Sequence, residues 1–284
     1  MKQAMIFAAG LGTRLKPLTD TMPKALVPVG GQPLLWHVVM KLKAAGFERI
    51  VVNVHHFAQQ IIDYLTSNGN FGLDIRISDE TGQLLETGGG IRKALPLFDC
   101  DEPILVHNVD ILSNVDLGAF YDSPYPRHAD AVLLVSPRVT KRYLLFDQSD
   151  CLVGWINKET GQVKSPYQEV KYSQMLAFSG IHVMMPELFP LMETWPERFP
   201  VIDFYLHHCD ETDIRCAVKT DLRLLDVGKL DTLEQANDFI LNSQLYATED
   251  YHSRLRFTDN PAHRPACART RHLLRDSSLQ QVPR

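Results

Sequence analysis

Met5-Ile6-Phe7-Ala8-Ala9-Gly10-Leu11-Gly12-Thr13-Arg14 begins as an apolar run and breaks at a pair of glycines. The run is too short for a helix and reads as a buried strand, after which glycine frees the backbone to turn. Residues Gly10 to Gly31 continue as a long loop rich in glycine and proline. Beyond it, Leu35, Val38, Val39, Leu42 and Ala45 recur at helical spacing and predict a helix with one apolar face, stopping at Gly46. Ile50 to Val54 reads as a second buried strand and Ala58 to Ser67 as a second helix. Leu73, Ile75 and Ile77 alternate with polar residues, the pattern of a strand with one wet face. Alternation of strand and helix predicts an α/β protein, a layered sheet flanked by helices.

Further along, three glycines precede a predicted helix over Ile91 to Leu97. Ile104-Leu105-Val106 is the next buried strand and delivers Asp110 just past its carboxyl end, the edge where open α/β sheets hold ligands. Strands are expected at 131–135, 144–146, 152–156, 178–184, 214–218 and 222–225, and helices at 203–209 and 232–245. Thr232-x-x-Gln235 marks the last helix as a capping box. No linker rich in glycine, serine or proline divides the chain, so residues 1–250 are expected to form one catalytic domain. Residues 251–284 form a basic tail, solvated or unstructured, since Pro261 to Arg284 holds five arginines against one aspartate.

Composition sets the outer limits. The chain has 284 residues, 45% hydrophobic and 22% charged, enough to bury a core without disulfides. A net charge of −5 argues against a general affinity for nucleic acid or anionic membrane, so a polyanionic ligand needs a local basic site. The five cysteines are scattered, without a C-x-x-C pair, so neither a disulfide framework nor a zinc site is suggested and a reduced cytoplasm fits best. Six apolar residues, Ala4 to Ala9, are too few for a signal peptide, and no run approaches the roughly 20 needed for a membrane span. No internal repeat of 20 to 50 residues is visible.

Two familiar nucleotide motifs are excluded. Leu15 stands where a dinucleotide fingerprint needs its third glycine, and no Gly-Lys-Ser/Thr occurs for a P-loop. What remains is a glycine loop whose N–H groups can face phosphate oxygens, with Arg14 to grip them by a bidentate fork and Lys24 to supply a point charge. That combination reads as a triphosphate cradle. The pairs His55-His56 and His207-His208 lack the i, i+4 spacing that aims two rings at one metal, which leaves them surface or packing roles.

Gly10 to Thr19, followed by Pro23-Lys24, resembles the signature of the sugar-1-phosphate nucleotidyltransferases. A second block, Leu85-Glu86-Thr87-Gly88-Gly89-Gly90-Ile91 with Ala94-Leu95-Pro96, looks most like the N-acetylmuramate-1-phosphate uridylyltransferases, relatives of the mannose-1-phosphate guanylyltransferases. The resemblance spans about residues 3 to 245. It implies a nucleotide-diphospho-sugar transferase fold, a Rossmann-like mixed sheet between helices in three layers.

By the same resemblance, Asp110 and Asp226 hold a magnesium ion, which suits a cation that takes one or two carboxylates and fills its octahedron with phosphate and water. Arg14, Lys24 and Asp110 are the implied catalytic residues. Nucleotide contacts fall to Ala8, Ala9, Gly10, Leu11, Gly12, Thr13, Arg14, Lys24, Glu86, Thr87, Gly88 and Asn108, with the base against Ala8, Gly10, Glu86 and Thr87. Sugar-phosphate contacts fall to Lys158, Ser179 and Gly180. Two departures stand out: Val109 and Glu86 occupy places where relatives carry glycine.

The expected reaction moves a nucleoside monophosphate, UMP from UTP, onto a sugar 1-phosphate and releases pyrophosphate. The alternatives are a guanylyltransferase using GTP on mannose or heptose 1-phosphate and, from another class, a nucleotide-sugar sensor without turnover. Neither the sugar nor the oligomeric state follows from the sequence.

Overall fold

The computed structural model describes residues 1–123 and 129–242. The basic tail, the domain limit near residue 250 and residues 243–245 of the last expected helix lie outside them. Among the described residues the first half runs β1 (Gln3–Phe7), β2 (Pro28–Val29), β3 (Gln32–Pro33), α1 (Leu34–Ala44), β4 (Arg49–Val54), α2 (Ala58–Ser67), β5 (Asp74–Asp79), α3 (Glu86–Ala94), β6 (Ile104–Asn108), β7 (Ile111–Ser113) and α4 (Leu117–Asp122). The second half runs β8 (Ala131–Ser136), β9 (Arg142–Phe146), β10 (Leu152–Asn157), β11 (Val163–Lys164), β12 (Gln174–Met184), α5 (Phe189–Glu193), α6 (Val201–His208), β13 (Ile214–Val218), β14 (Leu224–Asp226) and α7 (Leu230–Asn242).

One ten-stranded mixed sheet carries the molecule, in the order β11-β10-β9-β12-β6-β1-β4-β5, with β8 also on β12 and β13 on β8. Pairings β1–β4, β1–β6, β4–β5 and β8–β13 are parallel, while β12 runs antiparallel to β6. Side chains of successive strand residues point to opposite faces. Ala4 and Ile6 of β1 therefore join one core with Leu35, Val38 and Leu42 of α1, whereas Met5 joins a second core with Ile91 of α3 and Phe204 of α6. The two cores lie on opposite faces of the sheet, giving the three layers expected from the sequence. Each fully buried aliphatic side chain contributes about 1.5–3 kcal/mol, so both faces are held firmly. Among the described residues no helix is long and apolar enough to cross a membrane.

Two local expectations are corrected. Gly88, Gly89 and Gly90 do not precede a helix but form part of α3, which starts five residues before the predicted Ile91. The reason is crowding. A Cβ on Gly88 would meet the Phe199 ring at 2.2 Å, one on Gly89 the Glu197 carbonyl at 2.2 Å, and one on Gly90 the Glu80 carboxylate at 2.9 Å. Contact with residues 197–199 thus outweighs glycine's poor helix propensity of about 1 kcal/mol per residue. At the other end of the chain α7 starts at Leu230, so Thr232 sits in its first turn instead of capping it. Its hydroxyl reaches back and accepts from the Lys229 N–H at 3.3 Å. Among the described residues no disulfide joins the cysteines.

Replacing Gly89 with Ala is expected to cost about 1–3 kcal/mol, the usual range for overpacking, and the thermal midpoint reads it. A pH dependence also follows from two buried rings. Burial lowers His182 to about 3, and burial together with the nearby Lys41 ammonium lowers His107 to about 4, from an ordinary 6.5. Below pH 6.5 the unfolded chain protonates both rings while the folded chain does not. Stability therefore falls with falling pH, by about 1.4 kcal/mol per unit per ring, until the folded values are reached. Urea unfolding at pH 7 and pH 5 checks this, and His182→Leu should shrink the loss between them by about 2 kcal/mol.

Candidate active site

Strand β1 sits between β4 and β6, so the chain leaves its carboxyl end in opposite directions on either side, and a crevice opens there. A cleft of about 430 Å³ occupies that place, lined by Phe7, Ala8, Ala9, Gly10, Lys24, Asn53, Glu80, Leu84, Glu86, Thr87, Asn108, Val109, Asp110 and Pro200. It brings together residues from the first glycine loop, from the start of α3 and from the end of β6.

The glycine loop is fastened by a buried polar relay. The Asn53 side-chain oxygen accepts from the Ala8 N–H at 2.7 Å and the Ala9 N–H at 3.3 Å, and its amide donates to Glu80 Oε1 at 2.7 Å. Glu80 Oε2 in turn accepts from the Leu85 N–H at 3.1 Å. Both side chains are buried, and a satisfied buried network fixes geometry because breaking any member strands a polar group. The amides of Ala8 and Ala9 are thereby committed to Asn53 and do not face the cleft as phosphate donors. Sequence reading missed both residues. The signals were present: Asn53 is the one polar residue inside the apolar run of β4, and Glu80 follows directly on β5.

Gly12 turns the loop at φ 64°, a left-handed conformation that a side chain disfavours. Its carbonyl accepts from the Leu15 N–H and from the Thr19 hydroxyl, both at 2.8 Å. This turn sends Arg14 across to the far end of the chain. A Cβ on Gly228 would lie 2.7 Å from both Arg14 Nη2 and Asp226 Oδ1, so a side chain at 228 would strike the guanidinium and the carboxylate together. The nearly buried Lys24 ammonium forms an ion pair with Asp110.

Asp110 and Asp226 are 116 positions apart in the chain yet adjacent in space. Strand β14 pairs antiparallel with β7, placing Asp226 opposite Ile111, and the Val227 N–H donates to the Asp110 carbonyl at 2.8 Å. The buried Asn114 side chain closes the other end of this pairing, donating to Asp221 O at 3.0 Å and accepting from the Arg223 N–H at 2.9 Å. Burial first, and the facing Asp110 second, raise the Asp226 carboxyl above its ordinary value, while Lys24, Arg14 and Arg138 pull it back. Two carboxylates held side by side at the edge of the cleft suit a hard divalent cation such as Mg²⁺, which takes one or two carboxylates and completes its shell with phosphate and water.

The remaining expected residues divide. Glu86 lies at φ 62°, the region glycine favours. Its carboxylate accepts from Arg198, with Nη2 at 2.9 Å. Thr87 lines the cleft while its hydroxyl accepts from the Val201 N–H at 2.9 Å. Gly88 packs away from the cleft, donating its N–H to Phe199 O at 2.8 Å, and Leu11, Gly12 and Thr13 are not among the lining residues. Asn108 is backed by Gly180, where φ is 77° and a Cβ would lie 2.7 Å from the Asn108 amide nitrogen. Val109 is 4% exposed and its N–H donates to Phe7 O at 3.2 Å, so its side chain belongs to the core as well as to the cleft wall. Ser179 is buried, its hydroxyl accepting from Ile181, and Lys158 is exposed on the turn after β10, outside the cleft lining. His208 accepts from Trp195 Nε1 at 3.0 Å, a packing role as expected.

The chain is similar to several known proteins. Residues 3–142 match the family model described as nucleotidyl transferase. The chain is 38% identical over 194 residues to the N-acetylmuramate alpha-1-phosphate uridylyltransferase of Neisseria meningitidis serogroup B, covering 67% of this chain and 78% of that one. It is 37% identical over 193 residues to the enzyme of the same name from Caulobacter vibrioides, covering 66% and 76%. Among solved structures, the UDP-glucose pyrophosphorylase from Acinetobacter baumanii superposes with a TM-score of 0.68 at 20% identity, over 87% of this chain and 96% of that one, which fixes the fold. With 38% identity to a relative matched over 78% of its length, and with residues 3–142 matching the family model, the chain belongs to the nucleotidyl transferase family.

Proposed function

We propose that this protein transfers UMP from UTP to a sugar 1-phosphate, N-acetylmuramate 1-phosphate being the acceptor suggested by its Neisseria and Caulobacter relatives. The observation that carries the reading is the juxtaposition of Asp110 and Asp226, with Lys24 on one carboxylate and Arg14 beside the other. An oxygen of the acceptor phosphate attacks the α-phosphorus, the bond from that phosphorus to the bridging oxygen of the β-phosphate breaks, and pyrophosphate departs with the electron pair. The attacking oxygen is already ionised near neutral pH, so no side-chain base is required.

Catalysis then consists of positioning and charge neutralisation. The base rests on Ala8 to Gly10 and against Glu86 and Thr87, held by the Asn53–Glu80 relay. Lys24 leaves its ion pair with Asp110 to neutralise the α-phosphate as charge grows there, and Arg14 grips the departing pyrophosphate by its fork. Asp110 and Asp226 would hold the magnesium ion, which when bound draws the phosphate oxygens together and offsets their charge. Residues 1–250 are the proposed catalytic unit.

Asp110→Asn and Lys24→Ala are each expected to lower kcat at least about 100-fold, equivalent to roughly 2.7 kcal/mol, in a pyrophosphate-release assay. Near-normal turnover in either would overturn these roles. Chelation with EDTA should abolish the activity and added Mg²⁺ restore it. Among UTP, GTP, CTP and ATP, UTP should give the fastest pyrophosphate release. A preference for GTP would point instead to a guanylyltransferase, and nucleotide binding without any release would point to a sensor.

A further inference from the structure

A small cavity of about 10 Å³ lies between α1, β6 and β7, and four polar side chains line it: His37 and Lys41 on α1, His107 on β6 and Ser113 at the end of β7. It shares no lining residue with the cleft. His37 is already engaged, its Nε2 lying 2.8 Å from the Val29 carbonyl. His107 is engaged on one side only. That residue is 1% exposed, and its Nδ1 lies 2.8 Å from the Asn108 carbonyl, a group that can only accept, so Nδ1 carries the ring proton. Nε2 is then a bare acceptor, and among the described residues nothing donates to it. Lys41 donates to the Ser113 carbonyl at 2.5 Å and to the Ser113 hydroxyl at 3.2 Å, which leaves a third ammonium N–H and the serine O–H available.

Charge and size select the occupant of such a cavity. A cation would be repelled by the Lys41 ammonium, and an anion would face the lone pair of Nε2. The occupant must therefore be neutral, able to donate to Nε2 and to accept from Lys41 or Ser113. A space of this size holds one water, and a buried water needs two to four polar partners, which these three side chains provide. Their place in the chain gives the site its use. His107 and Ser113 bracket the five residues 108–112, and Asp110 is the middle one. We propose that the cavity is a built site for one water molecule, which donates to His107 Nε2, accepts from Lys41 or Ser113, and so closes the Asp110 segment at its base. A bridge of this kind ties the end of β6 to the end of β7, and it acts whatever nucleotide or acceptor the cleft takes.

A crystal structure of the full chain at about 1.5 Å tests the site. It should show a water within about 2.7–3.2 Å of His107 Nε2 and of either Lys41 Nζ or Ser113 Oγ. A map without that water, or a direct bond from Lys41 to Nε2, overturns the proposal. His107→Phe, which keeps a ring and removes the acceptor, should lose the water, and its persistence there would show that His107 does not hold it. Amide hydrogen exchange tests the closing role. The Asn114 and Val227 amides, which donate to the Arg223 and Asp110 carbonyls, should exchange at least about 10-fold faster in His107→Phe, while the amides of β4 change by less than about twofold. Unchanged exchange at both reporters, or equal acceleration in β4, overturns that role. Ser113→Ala, which removes a partner from the other side of the water, supplies the exchange reading if the phenylalanine variant does not fold.

Discussion

The site depends on one piece of backbone pairing, the short ladder between β7 and β14. It is sealed at one end by Val227 donating to the Asp110 carbonyl and at the other by Asn114 bonded to Asp221 and Arg223. Without it, two acids from distant parts of the chain would have no reason to face each other, and mutual repulsion would separate them. The α1 helix braces the ladder from behind. Half-buried Lys41 donates to the Ser113 carbonyl at 2.5 Å and to its hydroxyl at 3.2 Å, and desolvation lowers that ammonium to about 7. Placing so costly a group beneath the ladder holds β7 at a fixed distance from α1, because an unpartnered ammonium there would be penalised heavily.

A second constraint organises the other wall. Asn53 and Glu80 join three stretches that are far apart in sequence: the exit of β1, the end of β4 and the approach to α3. Residues 197–201 clasp α3 from the opposite side, through Gly88 and Gly89 donating to Phe199 and through Val201 donating to Thr87. The glycine run of α3 is the complement of that clasp, since any side chain there would strike Phe199, Glu197 or Glu80. The cleft is therefore pre-formed on rigid elements, with cations brought in by the looped segment between β1 and α1.

Legibility in the sequence followed the range of the interaction. The strand–helix alternation of the first half, the limits of α2 and the cationic glycine loop rest on near neighbours, and periodicity or spacing reveals them. The position of Asp110 was readable too, because it follows directly on an apolar strand. Asn53 and Glu80 were missed because an isolated polar residue in a strand looks the same whether it is solvated or part of a buried relay. The glycines of α3 were placed outside a helix because propensity weighs only the local chain, while Phe199 and Glu197 lie more than 100 residues on.

The sequence by itself determined the α/β alternation, the cationic glycine loop and the residue types available to a phosphate ligand, since these depend on period, spacing and side-chain chemistry. Only the tertiary structure decided that Asp226 faces Asp110 and that the Ala8 and Ala9 amides are taken by Asn53. Each of those facts is a contact between segments distant in the chain. Such contacts are set by sheet register and by which buried polar groups must find partners, quantities that exist only once the strands are side by side.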